Sequence, residues 1–536
     1  MAWLSGTGAA DSPTGAATDY KDLLSELKAV AEGDIRMATV ASIVAAGTGY
    51  AVDDILQVNG GTSTHPCTIR VTAVSGGTVT AAVVHEGGAY SVTPGAGTLT
   101  TTKLTGAGAD DCTITATFDT GQAWIIDRYL KQIGLTSAVL AAAGTTYGAG
   151  NTLTVAVGTG TAVTHATIEV DTVDGGGAIL TFHISAAGEY SVPPSEIGEN
   201  VVTGGAGSGA KFGLTLQGRV GEDELVMHGV GSGAEQIYIG ARTYSDTGLA
   251  NWELAGFTGH GPALPWESQP GISPGRFDNT PTEATGGSYF PLRDASTIAW
   301  WISINTRRVV VLANPGANWS SLYMGFLAPF ATTTEFPYPL YIAGCTSNPL
   351  IDNTTSTMWY SSIVDPISGY QSPAYQPGPG WFRLTSGSWQ EVKNSKMLSS
   401  RTRESECVVY PAGDTITTPS GSPAPLITAA DRYFGEDDVE GLAWSRFIPT
   451  VGVPGAPERR WMRSLGDNEA VLVPATVILS DIAGRQGVFG ELEGVYWLDA
   501  TGSSSGDTID VGAQRYFISQ SGARSESWIH FCVRQS

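Results

Sequence analysis

The chain has 536 residues, enough at roughly 150 residues per domain for three or four units, and carries a formal charge of −23 from 28 Lys+Arg against 51 Asp+Glu. Such acidity makes it a poor candidate for general nucleic-acid binding, whose phosphate contacts need a basic surface, and for docking on anionic lipid. Charged residues are only 15% and glycine is 69 of 536, against about 25% and about 7% in an ordinary soluble protein; glycine shows no collagen period, and 14 Trp can fill a sizeable core.

Residues 1–17 are small and polar and read as an extended arm, without the basic start and apolar stretch of a secretory signal. Residues 19–32 then read as a helix. Leu23, Leu24, Leu27 and Val30 fall on one face, and Thr18 or Asp19 can cap the start. A single apolar stripe predicts docking against a neighbouring domain or chain. No apolar run approaches the roughly 20 residues of a transmembrane helix. Residues 1–40 therefore form an N-terminal arm and helix.

The next feature is an internal repeat of residues 41–118 in residues 138–217. Gly47-Thr48-Gly49-Tyr50 matches Gly144-Thr145-Thr146-Tyr147, and Thr68-Ile69-Arg70-Val71 matches Thr167-Ile168-Glu169-Val170. Gly88-Ala89-Tyr90-Ser91-Val92 matches Gly188-Glu189-Tyr190-Ser191-Val192, with Pro94 against Pro194. β-branched residues alternate with polar ones between Gly-rich turns, the pattern of short antiparallel strands. Each copy thus reads as a small all-β module, with Tyr-Ser-Val-x-Pro closing one edge. Cys67 aligns with Ala166 and Cys112 with Lys211, so neither thiol is needed for the module fold. The segment between the copies, residues 119–137, carries Trp124, Ile125, Ile126 and Tyr129. It is expected to pack back on the N-terminal helix, which would make the first copy an insertion.

From residue 218 the composition changes: only Trp3 and Trp124 precede it, and the other 12 Trp follow. Strand patterns stand out at 224–227, 236–243 and 300–312, with a weaker one at 471–479 whose Pro474 points to a sheet edge. Residues 218–536 read as one large β-rich domain, with a subdivision expected near 400. The fold class is accordingly mainly β: a short helix, two tandem modules, then the large domain.

Catalytic constellations fail one by one. Gly271-Ile272-Ser273-Pro274-Gly275 places proline where an oxyanion-hole N–H is needed, and Gly502-Ser503-Ser504-Ser505-Gly506 is a polar turn. Gly207-Ser208-Gly209-Ala210-Lys211 is no phosphate loop, and His85-Glu86 lacks the second histidine of a zincin helix. His65 and His165 lie at similar places in the two copies and read as loop residues. The acidic groups Asp53-Asp54, Glu436-Asp437-Asp438 with Glu440, and Asp499, Asp507 and Asp510 do not have calcium-loop spacing. Five cysteines (Cys67, Cys112, Cys345, Cys407, Cys532) without a CxxC pair fit a reducing cytosol. No cofactor and no metal is expected. Trp252, Trp266, Trp300, Trp301, Trp319, Trp359, Tyr360, Trp381 and Trp389 either fill the core and subunit interfaces or offer stacking platforms for sugar rings. Of these, Trp252, Trp266, Trp319, Trp359, Tyr360, Trp381 and Trp389 are the candidate interface or glycan-contact residues. Trp461, flanked by Arg459, Arg460 and Arg463, is a basic-aromatic patch suited to an acidic neighbouring subunit.

The opening Met1-Ala2-Trp3 with Ser5-Gly6-Thr7, followed by Asp19-Tyr20-Lys21-Asp22-Leu23-Leu24, resembles the start of a group of tailed-bacteriophage virion structural proteins. The likeness continues through Gln236-Ile237-Tyr238-Ile239-Gly240-Ala241-Arg242-Thr243-Tyr244, Asn251-Trp252-Glu253-Leu254-Ala255-Gly256-Phe257, Asn305-Thr306-Arg307-Arg308 and Phe336-Pro337-Tyr338-Pro339-Leu340. It covers the N-terminus and most of 218–400, while the Gly-rich repeats resemble modules of phage tail and fibre proteins. The resemblance implies a non-enzymatic, multi-copy part of the tail, baseplate or collar, assembled in the host cytoplasm. Its implied partners are further copies in a trimer or higher symmetry and neighbouring tail or baseplate proteins, with no nucleic acid and no membrane. The alternatives are a receptor-binding fibre protein that grips host surface glycan and, third, a polysaccharide-degrading enzyme.

Overall fold

The computed structural model describes residues 2–6, 19–229, 237–246, 249–275, 287–293, 297–314, 319–329, 340–344, 380–383, 389–393, 406–410, 471–480, 486–499, 503–512, 514–520 and 529–535. The protein is mainly β, as expected. Strand β1 (Ala2–Gly6) is followed by helix α1 (Tyr20–Ala31), capped by Asp19, whose Oδ1 accepts from the amides of Lys21 at 2.7 Å and Asp22 at 2.9 Å. Leu23, Leu24, Leu27, Val30 and Ala31 are buried, because the apolar stripe faces the body of the same chain.

The first module contains β2 (Arg36–Ala45), β3 (Ile55–Val58), β4 (Thr62–His65), β5 (Thr68–Ser75), β6 (Thr78–Glu86), β7 (Ala89–Val92), β8 (Leu99–Lys103) and β9 (Thr113–Asp119). Strand β10 (Ile125–Lys131) leads to the second module. Its strands are β11 (Gly134–Thr145), β12 (Thr152–Val155), β13 (Thr161–Thr164), β14 (Thr167–Val173), β15 (Ile179–Ala186), β16 (Glu189–Val192), β17 (Asn200–Thr203) and β18 (Ser208–Gln217). The modules thus begin at Arg36 and Gly134, a few residues before the expected 41 and 138.

The two copies share one topology. Each has a six-stranded antiparallel sheet, ordered β2-β9-β8-β3-β5-β6 and β11-β18-β17-β12-β14-β15, plus a two-stranded ribbon, β4-β7 or β13-β16. The Tyr-Ser-Val strand belongs to this ribbon and not to the edge of the larger sheet. Each sheet curls until its end strands meet. Met37 N donates to Gly87 O and Leu135 N to Ala187 O, both at 2.8 Å. Buried Tyr90 and Tyr190 do the same work in each copy: their hydroxyls accept from the amides of Cys67 and Ala166, both at 2.8 Å. Gly88 and Gly188 precede them with φ of 73° and 70°. A Cβ there would come within 2.7 Å of Cys67 N or 2.4 Å of Ala166 N, so both positions demand glycine.

The body is built from β10, β1, α1 and the C-terminal half. A five-stranded antiparallel sheet runs β10-β19-β20-β21-β22, with β19 (Asp223–Gly229), β20 (Ile237–Asp246), β21 (Leu249–Phe257) and β22 (Ser288–Arg293). Strand β10 therefore makes the segment between the modules part of the body, and the first module is an insertion between α1 and β10.

The remaining strands are β23 (Ala299–Ile304), β24 (Arg308–Asn314), β25 (Ser320–Phe326), β26 (Ala328–Pro329), β27 (Leu340–Ala343), β28 (Gly380–Arg383), β29 (Trp389–Lys393), β30 (Glu406–Tyr410), β31 (Val473–Ser480), β32 (Gln486–Asp499), β33 (Thr508–Val511), β34 (Gln514–Gln520) and β35 (Ile529–Arg534). With β1 they form a single 14-stranded sheet. It passes through β29, β30 and β31 without a break, so no sheet boundary falls at the expected subdivision near 400. β26 follows directly on β25 and pairs with β32, closing the path into a ring. β31 is interior, paired with both β30 and β32, which corrects the edge placement drawn from Pro474. The ladder tolerates Pro474 because pairing with β30 covers only Thr476 to Ser480 and a register shift follows the proline on the β32 side.

Two cores lie on the two faces of β23–β25. One face, with Trp300, Ile302, Val309, Val311, Leu322 and Met324, packs on α1 and the five-stranded sheet. The other, with Val310, Leu312 and Tyr323, packs on the C-terminal strands through Leu492, Val495, Trp497, Phe517 and Phe531. Trp3 joins the second core at 5.3 Å from Phe517, which ties the first strand to one of the last.

Candidate interaction surfaces and a covered polar face

Most tryptophans among the described residues point inward. Trp252 is fully buried on β21 and donates its Nε1 to Tyr20 O of α1 at 2.8 Å. Trp266 is buried on a short 3-10 turn, edge-on to Phe257 at 5.3 Å and beneath the Arg242 guanidinium. Trp319 stacks on Trp301 at 5.0 Å within the second core. None of these three offers a free face to a sugar ring. Trp381 and Trp389 are half-buried on β28 and β29, and Trp389 Nε1 donates to Gly271 O at 3.1 Å. Trp359, Tyr360 and the patch around Trp461 lie outside the described residues, as do Cys345 and Glu436 to Glu440.

Other sequence candidates resolve into structural roles. Ser273 is buried, and its Oγ accepts from Gly256 N at 3.1 Å. The Ser503–Ser505 string is a turn in which Asp507 Oδ2 accepts from Ser504 N at 2.7 Å. Cys67, Cys112 and Cys532 are free and buried; burial pushes the Cys67 thiol up to about 11, so it is no nucleophile at neutral pH. Cys112 N and Ala210 N both donate to the equivalent tyrosine hydroxyls, Tyr50 and Tyr147, so Ala210 is the counterpart of Cys112 and Lys211 is not. His65 ends β4 and is buried, 3.0 Å from Glu26 and edge-on to Trp300, whereas His165 lies beyond β13 and is exposed. The two histidines therefore do not occupy equivalent positions. Among the described residues, no three His, Cys, Asp or Glu side chains gather as a metal-ligand set, and no helix is long and apolar enough to cross a membrane.

The modules differ in how they meet the body. The first is seated on several sides. Buried Arg36 donates to Gly88 O and Val30 O, which joins the module to α1. Arg70 and Arg515 alternate with Asp53 and Asp510 in a ring of charges spanning 2.8 to 3.8 Å, which joins it to the β33–β34 hairpin. The second module is held at its base, where Gln132 Nε2 donates to Glu189 Oε1 at 2.7 Å and Gln217 Nε2 to Ala263 O at 3.1 Å. Among the described residues it also presents the most exposed large apolar side chains, Val139 at 69%, Val163 at 62% and Leu180 at 60%, and it exposes Val192, Ile197 and Val201 as well.

The outer face of the five-stranded sheet carries a cluster of charges that the sequence reading did not find. Arg242 donates to Glu253 Oε2 and Glu267 Oε1, each at 2.8 Å, and Arg219 also reaches Glu267. Burial alone would lower Arg242, but the carboxylates of Glu253, Glu222 and Glu267 outweigh it and keep the guanidinium charged. Arg128 pairs with Glu224 at 2.8 Å, both 2% exposed. Its other nitrogen donates to the carbonyls of Gly261, Pro262 and Leu264. His228 Nδ1 lies 2.7 Å from Asp127 Oδ2, and its ring lies 5.0 Å from that of Tyr238. Residues 258–273 cover this face. No protein-family model matches the chain, and no curated protein matches it in sequence.

Proposed function

We propose that the protein is a structural component of a tailed-phage virion, in the tail, baseplate or collar, working through contacts between many copies and their neighbours. The observation that carries this reading is the unequal seating of the duplicated module. One copy is built into the body, while the other stands on a narrow base with Val139, Val163 and Leu180 turned to solvent. Exposed apolar side chains on a sheet-built unit with few ties to the body mark a surface meant to be covered. The sequence resemblance supplies the kind of assembly, and low charge density reduces the desolvation cost of burying such surfaces. Burial of Trp252, Trp266 and Trp319 takes away three of the platforms on which glycan binding was expected to rest.

The test is to locate the chain in purified particles by cryo-electron microscopy, with mass spectrometry of the same fractions. The expected result is symmetric density for the body, with the second module against a neighbouring subunit. Absence of the chain from particles, or release of reducing ends from host polysaccharide by the isolated protein, would overturn the proposal.

A further inference from the structure

Residues 258–273 form a cover over the polar face of the five-stranded sheet, and its fastenings are of several kinds. Trp266 drops onto Gly240, where a Cβ would come within 2.9 Å of the indole, and packs on Phe257. Glu267 is gripped by Arg242 and Arg219. Arg128 holds three carbonyls, and Gln269 cross-braces the segment by accepting from Gly261 N and donating to Gly261 O and Leu264 O. The cover also holds the base of the second module. Gln217, the last residue of β18, donates to Ala263 O, and Arg219, just beyond it, bonds Glu267.

His260 sits at the start of this cover. Its Nε2 is buried and has no hydrogen-bond partner among the described residues. The charged and titratable groups that act on it are Arg128 and Asp127 of β10 and His228 of β19, whose ring packs on Tyr238 of β20; Asp127 is already engaged by His228, and Arg128 by Glu224. A proton on His260 would put a second cation beside the Arg128 guanidinium, at a nitrogen with no acceptor. That cost disappears if the segment lifts and the ring is hydrated.

We propose that residues 258–273 are an acid-loosened latch triggered by His260, which fixes the exit of the second module to the body and opens more often on acidification. Burial first, then Arg128 and His228, hold His260 below its ordinary 6.5 against the opposing pull of Asp127. The closed latch is therefore fully stable above that pH and weakens as pH falls below it. Burial opposes ionisation of Glu267, but Arg242 and Arg219 hold it below its ordinary 4.5, so its contribution fails only in stronger acid.

The experiment is hydrogen exchange of the full chain at about pH 7.5 and about pH 5.5, corrected for intrinsic rates, on the natural sequence and on His260→Asn. In the natural protein, opening of 258–273 should rise on the order of tenfold on acidification while β20 and β21 stay protected. In His260→Asn, the rise should vanish. The same acid response in His260→Asn, or none in the natural protein, overturns the proposal. If the variant does not fold, an NMR titration of His260 in the natural protein decides: a midpoint at or above 6.5 also overturns it.

Discussion

Thr146 holds a φ of 68° on an exposed turn where the first copy has Gly49 at 78°. The exchange runs the other way at the next turn, where Asp53 at 73° stands against Gly150 at 80°. A β-branched residue in the left-handed region costs roughly 1–2 kcal/mol, and glycine returns part of that through its larger unfolded-state entropy. Thr146→Gly should therefore stabilise the protein by about 0.5–1 kcal/mol, read as a higher denaturant midpoint at unchanged slope. Tyr190 makes the opposite case. Its hydroxyl is the acceptor for the buried Ala166 amide, and Tyr190→Phe leaves that amide unsatisfied. The expected loss is about 1–3 kcal/mol in a melt of the second module, and Tyr90→Phe should act alike in the first.

The elements show what the sequence makes legible and what it hides. Period-two alternation and glycine-bounded turns locate the strands of both modules, and the leucine stripe of α1 locates its buried face. The alignment of Cys112 with Lys211 slips because the loop entering β9 is one residue longer than the loop entering β18: Gly108 and Gly207 face equivalent tyrosines, yet Cys112 and Ala210 hold the equivalent places. A slip of one residue exchanges inward for outward positions, and it put an exposed lysine opposite a core thiol. The polar face was hidden for another reason. Arg128, Glu224, Arg242, Glu253 and Glu267 each read as a solvated charge; strand pairing aligns the first four, and the fold-back of residues 258–273 adds Glu267. Arg242→Ala would leave buried Glu253 without its main counter-charge, at a cost of about 3–5 kcal/mol at neutral pH. The carboxylates it strands would then bind protons more readily when folded. The penalty should shrink as pH falls towards 5, the reverse of the latch, which denaturation midpoints across that range will show.

At the scale of the molecule, duplication gave two units with one topology and different fates. Sequence comparison identifies the copies but not which one the body absorbs, because seating depends on single exchanges such as Arg70 for Glu169 and Ala89 for Glu189. The free copy makes a prediction of its own. Val139→Lys with Leu180→Lys lies on exposed positions and should change stability by no more than about 0.5 kcal/mol each. On the proposed virion role, that variant should nevertheless fail to enter particles while folding normally. Normal assembly of that double variant would move the contact surface elsewhere.

The packing of Trp3 against Phe517 also sets a timetable. A growing polypeptide can complete each Gly-rich unit from neighbouring stretches soon after they leave the ribosome. The second core stays open, with Trp3 lacking its counterpart, until residues beyond 517 have emerged. Messages cut short before that point should yield fragments with two finished modules on an unsealed, aggregation-prone trunk, which gives a cell a simple way to recognise and discard incomplete copies.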